Sequence, residues 1–194
     1  MSPFLVIAYF TKGNQYEALS ENLNKSCSDF KIPLYLKPIE NLGSWEKNTH
    51  YKANFILDCL LRFSQNLVYV DVDAVFRSYP VLFDTIECDV SYRTENFRWR
   101  KNEALSGTIY LANNERVKRF TQKWIETNNI IKARRMDPET WEQKNMQRAL
   151  EVCTDVKYEN LPPEYTFIFD HSRKIHPDVS PIIEHFQASR KADI

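Results

Sequence analysis

The run Asn66-Leu-Val-Tyr-Val-Asp-Val-Asp-Ala-Val-Phe76 constrains this chain more than any other stretch. Leu67, Val68, Tyr69 and Val70 read as a strand covered on both faces, because β-branched and aromatic side chains favour a pleated surface and no polar residue interrupts them. A strand of that kind has no packing reason to end in two carboxylates, Asp71 and Asp73. They fall at its C-terminal end, where open α/β sheets place their ligands, and paired carboxylates suit a hard divalent cation shared with phosphate oxygens.

Around this run, strand-like and helix-like segments alternate. Phe4 to Phe10 reads as a buried strand, Tyr16 to Asn24 as a helix, and Ile32 to Ile39 as a short strand whose prolines place it at an edge. Trp45 to Tyr51 reads as irregular and polar, and Lys52 to Phe63 as a helix with Phe55, Ile56, Cys59, Leu60 and Phe63 on one stripe. Past the acidic run, Val81 and Leu82 fall in a turn, Cys88 to Tyr92 and Glu103 to Ala112 read as strands, and Val156 to Leu161 as another short one. Glu115 to Asn128 and Trp141 to Val152 carry helical periodicity, the second after the N-terminal signal Asp137-Pro138. Residues 162 to 188 show apolar bursts without period. The alternation predicts an α/β fold with a mixed, mostly parallel central sheet flanked by helices, in one compact domain over 1-194.

Composition narrows the function. With 26 basic and 26 acidic side chains the net charge is zero, so no global field draws the chain to nucleic acid or to an anionic membrane. No run reaches the roughly 18 apolar residues of a membrane span, and no basic segment precedes the apolar N-terminus, so a cytoplasmic protein is expected. Cys27, Cys59, Cys88 and Cys153 are too dispersed for a disulfide framework and read as reduced thiols. The three glycines, Gly13, Gly43 and Gly107, exclude a glycine-rich phosphate loop. A bound phosphate would have to be held by a metal and by side chains.

In the order of its parts the chain resembles the GT-A glycosyltransferases, the nucleotide-diphospho-sugar transferases of the glycogenin and bacterial galactosyltransferase type. The resemblance is carried by Asp71-Val-Asp73, a lysine-bearing helix ahead of it, the strand entry Ser106-Gly107, the pair Glu142-Gln143, and His185-Phe-Gln-Ala-Ser-Arg-Lys191, in which Ala188 stands where the family has glycine. It implies a GT-A-like, Rossmann-like domain, a nucleoside diphosphate sugar donor with uridine as the base, and Mn2+ or Mg2+ as cofactor. Asp71, Asp73 and His185 would hold the metal, with Asp71 also near the ribose, and mixed oxygen and nitrogen ligation favours manganese. Thr11 and Tyr16 would cradle base and ribose, Lys52 would approach the nucleotide, and Arg190 and Lys191 would meet the diphosphate. Ser106 and Gly107 would lie under the donor sugar, and Glu142 and Gln143 would touch its hydroxyls or the reacting face as catalytic groups. Trp45, Trp99 and Trp141 are candidates to line a sugar or acceptor groove. The acceptor is open among a protein, a glycan, a lipid head and a modified base.

Two other functions fit parts of the pattern. Asp71 as nucleophile and Asp73 as general acid would describe a phosphatase of the haloacid-dehalogenase type, although that motif usually lies on a first strand. A binding module that keeps the nucleotide-sugar pocket without transfer is the other.

Overall fold

A computed structural model describes residues 3–97, 100–134 and 136–187. Its main sheet joins β1 (Phe4–Thr11), β2 (Leu34–Ile39), β3 (Asn66–Val70), β5 (Val90–Phe97), β6 (Arg100–Leu111) and β7 (Tyr158–Asn160) in the order β2-β1-β3-β6-β5-β7. The pairs β1/β2, β1/β3 and β5/β7 are parallel, while β3/β6 and β5/β6 are antiparallel. The mixed, mostly parallel α/β sheet is therefore as expected. Pro38 lies on β2, an edge strand, where its missing N–H costs no ladder bond.

Strand alternation divides the core between the two faces of the sheet. Leu5, Ile7, Leu67, Tyr69, Ile109 and Leu111 point to one side. There they meet α2 (Trp45–Arg62), α3 (Glu115–Ile130) and α4 (Glu142–Val152) through Phe55, Ile56, Phe120, Trp124 and Met146. Phe4, Val6, Ala8, Val68, Val70 and Tyr110 point to the other, against Leu23 and Cys27 of α1 (Tyr16–Asp29) and against Phe83. Both faces of β3 are thus covered. Burial pushes the Cys27, Cys59 and Cys88 thiols up to about 12, and all four cysteines are free. Among the described residues no helix is long and apolar enough to cross a membrane.

The segment Trp45 to Tyr51 departs from its irregular reading, because α2 starts at Trp45. Ser44 caps it by accepting from the Lys47 backbone N–H, and Gly43, at φ 94°, supplies the turn into the cap. The polar residues that obscured the helical period, Asn48 and Thr49, face the cleft described below. The aperiodic C-terminal segment also hides structure. β4 (Ala74–Phe76), β8 (Phe167–Ile168) and β9 (Ile183–His185) form a second, three-stranded sheet in the order β4-β9-β8, with a short α5 (Ser172–Ile175) between β8 and β9.

Asp89 locks α3 to the sheet. Its carboxylate accepts from Arg116 Nε and a guanidinium N–H, from Asn114 Nδ2, and from the Lys157 backbone N–H, all at 2.7–2.9 Å. The Arg116 bonds, with the Lys157 and Asn114 bonds, hold its pKa down at about 2 despite the opposing effect of burial. A depressed carboxylate pKa contributes stability that is fully present above the unfolded value near 4 and is lost as pH falls through the folded value. The expected contribution is about 2 kcal/mol at neutral pH. In acid titration followed by thermal melting, Asp89→Asn should melt lower than the parent at pH 7, and the gap should close between pH 4 and pH 2. A gap that persists unchanged at pH 2 would contradict this account.

Candidate active site

Asp71 follows the last residue of β3, and its backbone N–H donates to Gly107 O of β6 at 2.8 Å. The chain then turns, with Ala74 N–H donating to Asp71 O, and leaves the main sheet as β4. β4 pairs antiparallel with β9 in the register Ala74↔His185, and Phe186 N–H donates to Asp73 O. This ladder carries the late histidine back to the acidic motif.

His185 is buried. Its Nδ1 lies 3.5 Å from Asp73 Oδ1, and its Nε2 shares a hydrogen bond with Thr108 Oγ1 at 2.8 Å. The ring lies close against Gly107: a Cβ at that position would stand 3.1 Å from Cε1 and 3.2 Å from Nδ1. Glycine is needed at 107 for this close approach rather than for an unusual backbone angle.

Lys52 is reached from the other side. It projects from α2 into the end of the sheet and is 3% exposed. Its Nζ donates to Ser106 O at 3.1 Å, Ser106 Oγ at 3.0 Å and Glu142 Oε1 at 2.9 Å, and lies 3.2 Å from Asp71 Oδ1. The Tyr69 ring lies 4.9 Å from the same ammonium. Burial works against the charge on Lys52, but the carboxylates of Asp71 and Glu142 more than offset it and hold the pKa above the ordinary lysine value.

Glu142 opens α4, placed by the N-cap Trp141. Ser106 Oγ donates to its Oε1 at 2.7 Å, while its Oε2 is buried without a hydrogen-bond partner. Burial pushes its pKa up, although Lys52 and Ser106 pull the other way. Gln143 Nε2 donates to Glu103 Oε1 at 2.7 Å. Thr11 ends β1 and accepts from Asn14 Nδ2 at 2.7 Å, and Tyr16 starts α1 beside it.

Most of these line one cleft of about 590 Å³, with Glu103 and Thr108 behind its wall. It brings together Thr11, Tyr16, Lys52, Asp71, Asp73, Ser106, Gly107, Glu142, Gln143 and His185. Trp45 and Trp141 also line it, whereas Trp99, Arg190 and Lys191 lie outside the described residues. Tyr69 and Thr108 were not expected here as site residues. Tyr69 O–H donates to Asp71 Oδ1 at 2.7 Å, and Thr108 orients His185. The signal for Tyr69 was available, since residues i and i+2 of a strand share a face.

The charge balance bears on a metal. Among the described residues lining the cleft, Asp71, Asp73 and Glu142 stand against one ammonium, Lys52, so the site by itself repels a diphosphate. No three His, Cys, Asp or Glu side chains come together as a closed metal cage among the described residues. What is present is a half-site: the Asp73 and His185 pair at 3.5 Å, with Asp71 at the same end of β3. Mg2+ and similar hard cations are commonly held by one or two carboxylates, with substrate phosphates and water completing the shell. The donor set fits such an ion.

The paired carboxylates, the late histidine and the buried lysine thus meet in one cleft of an α/β fold. The sequence profile of the nucleotide-diphospho-sugar transferases matches residues 42–193, and the chain belongs to that family. The fold is similar to that of a glycosyltransferase involved in glycosylation of the major capsid of PBCV-1, with TM-score 0.70 and 13% identity over 98% of this chain and 95% of that one. It is also similar to the glycosyltransferase GlyE of Streptococcus pneumoniae TIGR4, with TM-score 0.65 and 14% identity over 94% of this chain and 54% of that one. A third similar structure is the bifunctional glycosyltransferase WbbM, with TM-score 0.63 and 11% identity over 96% of this chain and 46% of that one. The chain thus spans about half the length of the latter two. No curated protein matches it.

Proposed function

We propose that this domain transfers a sugar from a nucleoside diphosphate donor, a UDP-sugar, to an acceptor hydroxyl with the help of Mn2+ or Mg2+. The observation that carries the reading is the charge pattern of the cleft: three carboxylates and one buried ammonium around a space that would have to accept a diphosphate. Membership of the nucleotide-diphospho-sugar transferases supports it over the phosphatase alternative.

In the reaction the anomeric C–O bond to the diphosphate breaks and its electron pair leaves with the phosphate. A bond forms from the acceptor oxygen to the same carbon, and the acceptor proton passes to a phosphate oxygen or to solvent. Asp71, Asp73 and His185 would hold a divalent cation, which would supply stabilisation of the charge on the leaving diphosphate. Lys52 adds a fixed positive charge from the sugar side and, with Tyr69, pins Asp71 Oδ1. Glu142 Oε2, buried without a hydrogen-bond partner, would accept from a donor-sugar hydroxyl. Gln143 offers a further polar contact on the same turn, and Thr11 and Tyr16 flank the end of the cleft where base and ribose would lie.

Isothermal titration with UDP is the direct test. Binding should strengthen by an order of magnitude or more when Mn2+ is added. Equal affinity with and without the ion would sink the metal-dependent reading. Tight metal-dependent binding without any donor hydrolysis would point to the binding module instead.

A further inference from the structure

Trp45 and Trp141 line the cleft side by side, with ring centroids 5.7 Å apart and planes at 72°. Both are partly exposed, although core packing could have taken two indoles on amphipathic helices. Their positions follow from residues already assigned. Trp141 is the N-cap of α4, immediately before Glu142. Trp45 is the first residue of α2, seven positions before Lys52. Seven residues make about two helical turns, so Trp45 lies on the same face of α2 as Lys52 and about 10 Å further out along its axis.

Lys52, Glu142, Ser106 and Asp71 meet at one point of the cleft, and Trp45 lines the same cleft from the N-terminal end of α2, beside Trp141. A sugar ring presents axial C–H groups on one face and hydroxyls around its edge. The C–H face suits the negative face of an indole, and the hydroxyls suit polar groups beside it. Ser44, Asn48 and Gln143 line the cleft around the tryptophans and provide such groups.

From this arrangement we infer that Trp45 and Trp141 form the acceptor subsite and that the acceptor is a saccharide whose terminal ring stacks on them. The inference rests on the sugar-transfer reading above. It sets a saccharide against an extended peptide as the main acceptor, which the competing acceptors below decide.

The test uses the whole chain with Mn2+, a UDP-sugar that it hydrolyses, and a panel of methyl pyranosides and short oligosaccharides as acceptors. A Ser/Thr peptide library and a lipid-linked sugar-free phosphate serve as competing acceptors. The expected result is capture of the sugar by a saccharide. In Trp45→Ala and in Trp141→Ala the saccharide KM should rise about 3- to 10-fold and a larger share of donor should go to water. Trp45→Phe should recover most of the loss, and the melting points of the alanine variants should stay close to the parent, which a merely structural tryptophan would not allow. Quenching of indole fluorescence by the captured saccharide in UDP-loaded protein gives a second readout that does not depend on the variants folding equally well. Transfer to peptide or lipid with none to any saccharide overturns the proposal, as does an unchanged saccharide KM in both alanine variants. Donor hydrolysis without transfer to saccharide defeats this inference alone, whereas no hydrolysis of any nucleotide sugar defeats the transfer reading beneath it.

Discussion

Lys52→Met should cost roughly 3–5 kcal/mol of stability, because removing one partner of a buried ion pair leaves the other charge uncompensated. Lys52 is the only described cation in contact with Glu142, and both side chains are under a tenth exposed. For a domain of this size the loss corresponds to a melting point lower by about 10 °C. Donor turnover should fall at the same time, since the ammonium that pins Asp71 at the cleft is gone. The double variant Lys52→Met, Glu142→Gln separates the two effects. It removes the stranded carboxylate together with its cation and should recover much of the stability in a thermal melt without recovering turnover. If the single variant melts with the parent, the buried network is not holding this end of the sheet together.

The opposite behaviour is expected of Asp73→Ala. Its carboxylate lies next to His185 at the cleft and near Asp71, where like charges repel when no cation lies between them. The melting point of the metal-free protein should therefore change by no more than about 3 °C. Turnover of a UDP-sugar should fall by about 10²–10³ or more, the scale set by loss of a preorganised group that stabilises transition-state charge. The gain in UDP affinity on adding Mn2+ should vanish with it. Metal-dependent turnover that survives in Asp73→Ala would assign the ion to other residues, and a large fall in melting point would make Asp73 a structural anchor.

Much of this site was legible because its residues fall where the chain changes character. Asp71 and Asp73 interrupt an apolar run and Glu142 opens a helix, whereas Ser106-Gly107, read as a strand entry, lies inside β6, which starts at Arg100. The core was legible for the same reason, since period-2 and period-3.6 patterns are local. What was not legible depends on pairing across the chain. Trp45 to Tyr51 was misread because a helix that faces a polar cleft shows polar residues where an apolar stripe is sought. The second sheet was invisible because β4, β8 and β9 are two or three residues long and carry too few side chains to show a period. Thr108 gained its role only when β9 brought His185 against it. The depth of the Lys52 side chain also came from its surroundings rather than from its helix.

The short ladder between β4 and β9 has a further consequence. His185 and Asp73 belong to one small ribbon, whereas Asp71, Lys52, Ser106 and Glu142 belong to the main sheet and the helices against it. Small sheets open locally at lower free energy than a buried central one. Any ligand that bridges Asp73 or His185 to the main-sheet residues therefore also welds two units of unequal stability, and its binding is linked to the closing of that ribbon. Occupancy of the cleft and the rigidity of the C-terminal segment become a single equilibrium, so that slowed amide exchange at residues 183–185 would report a filled site from outside it.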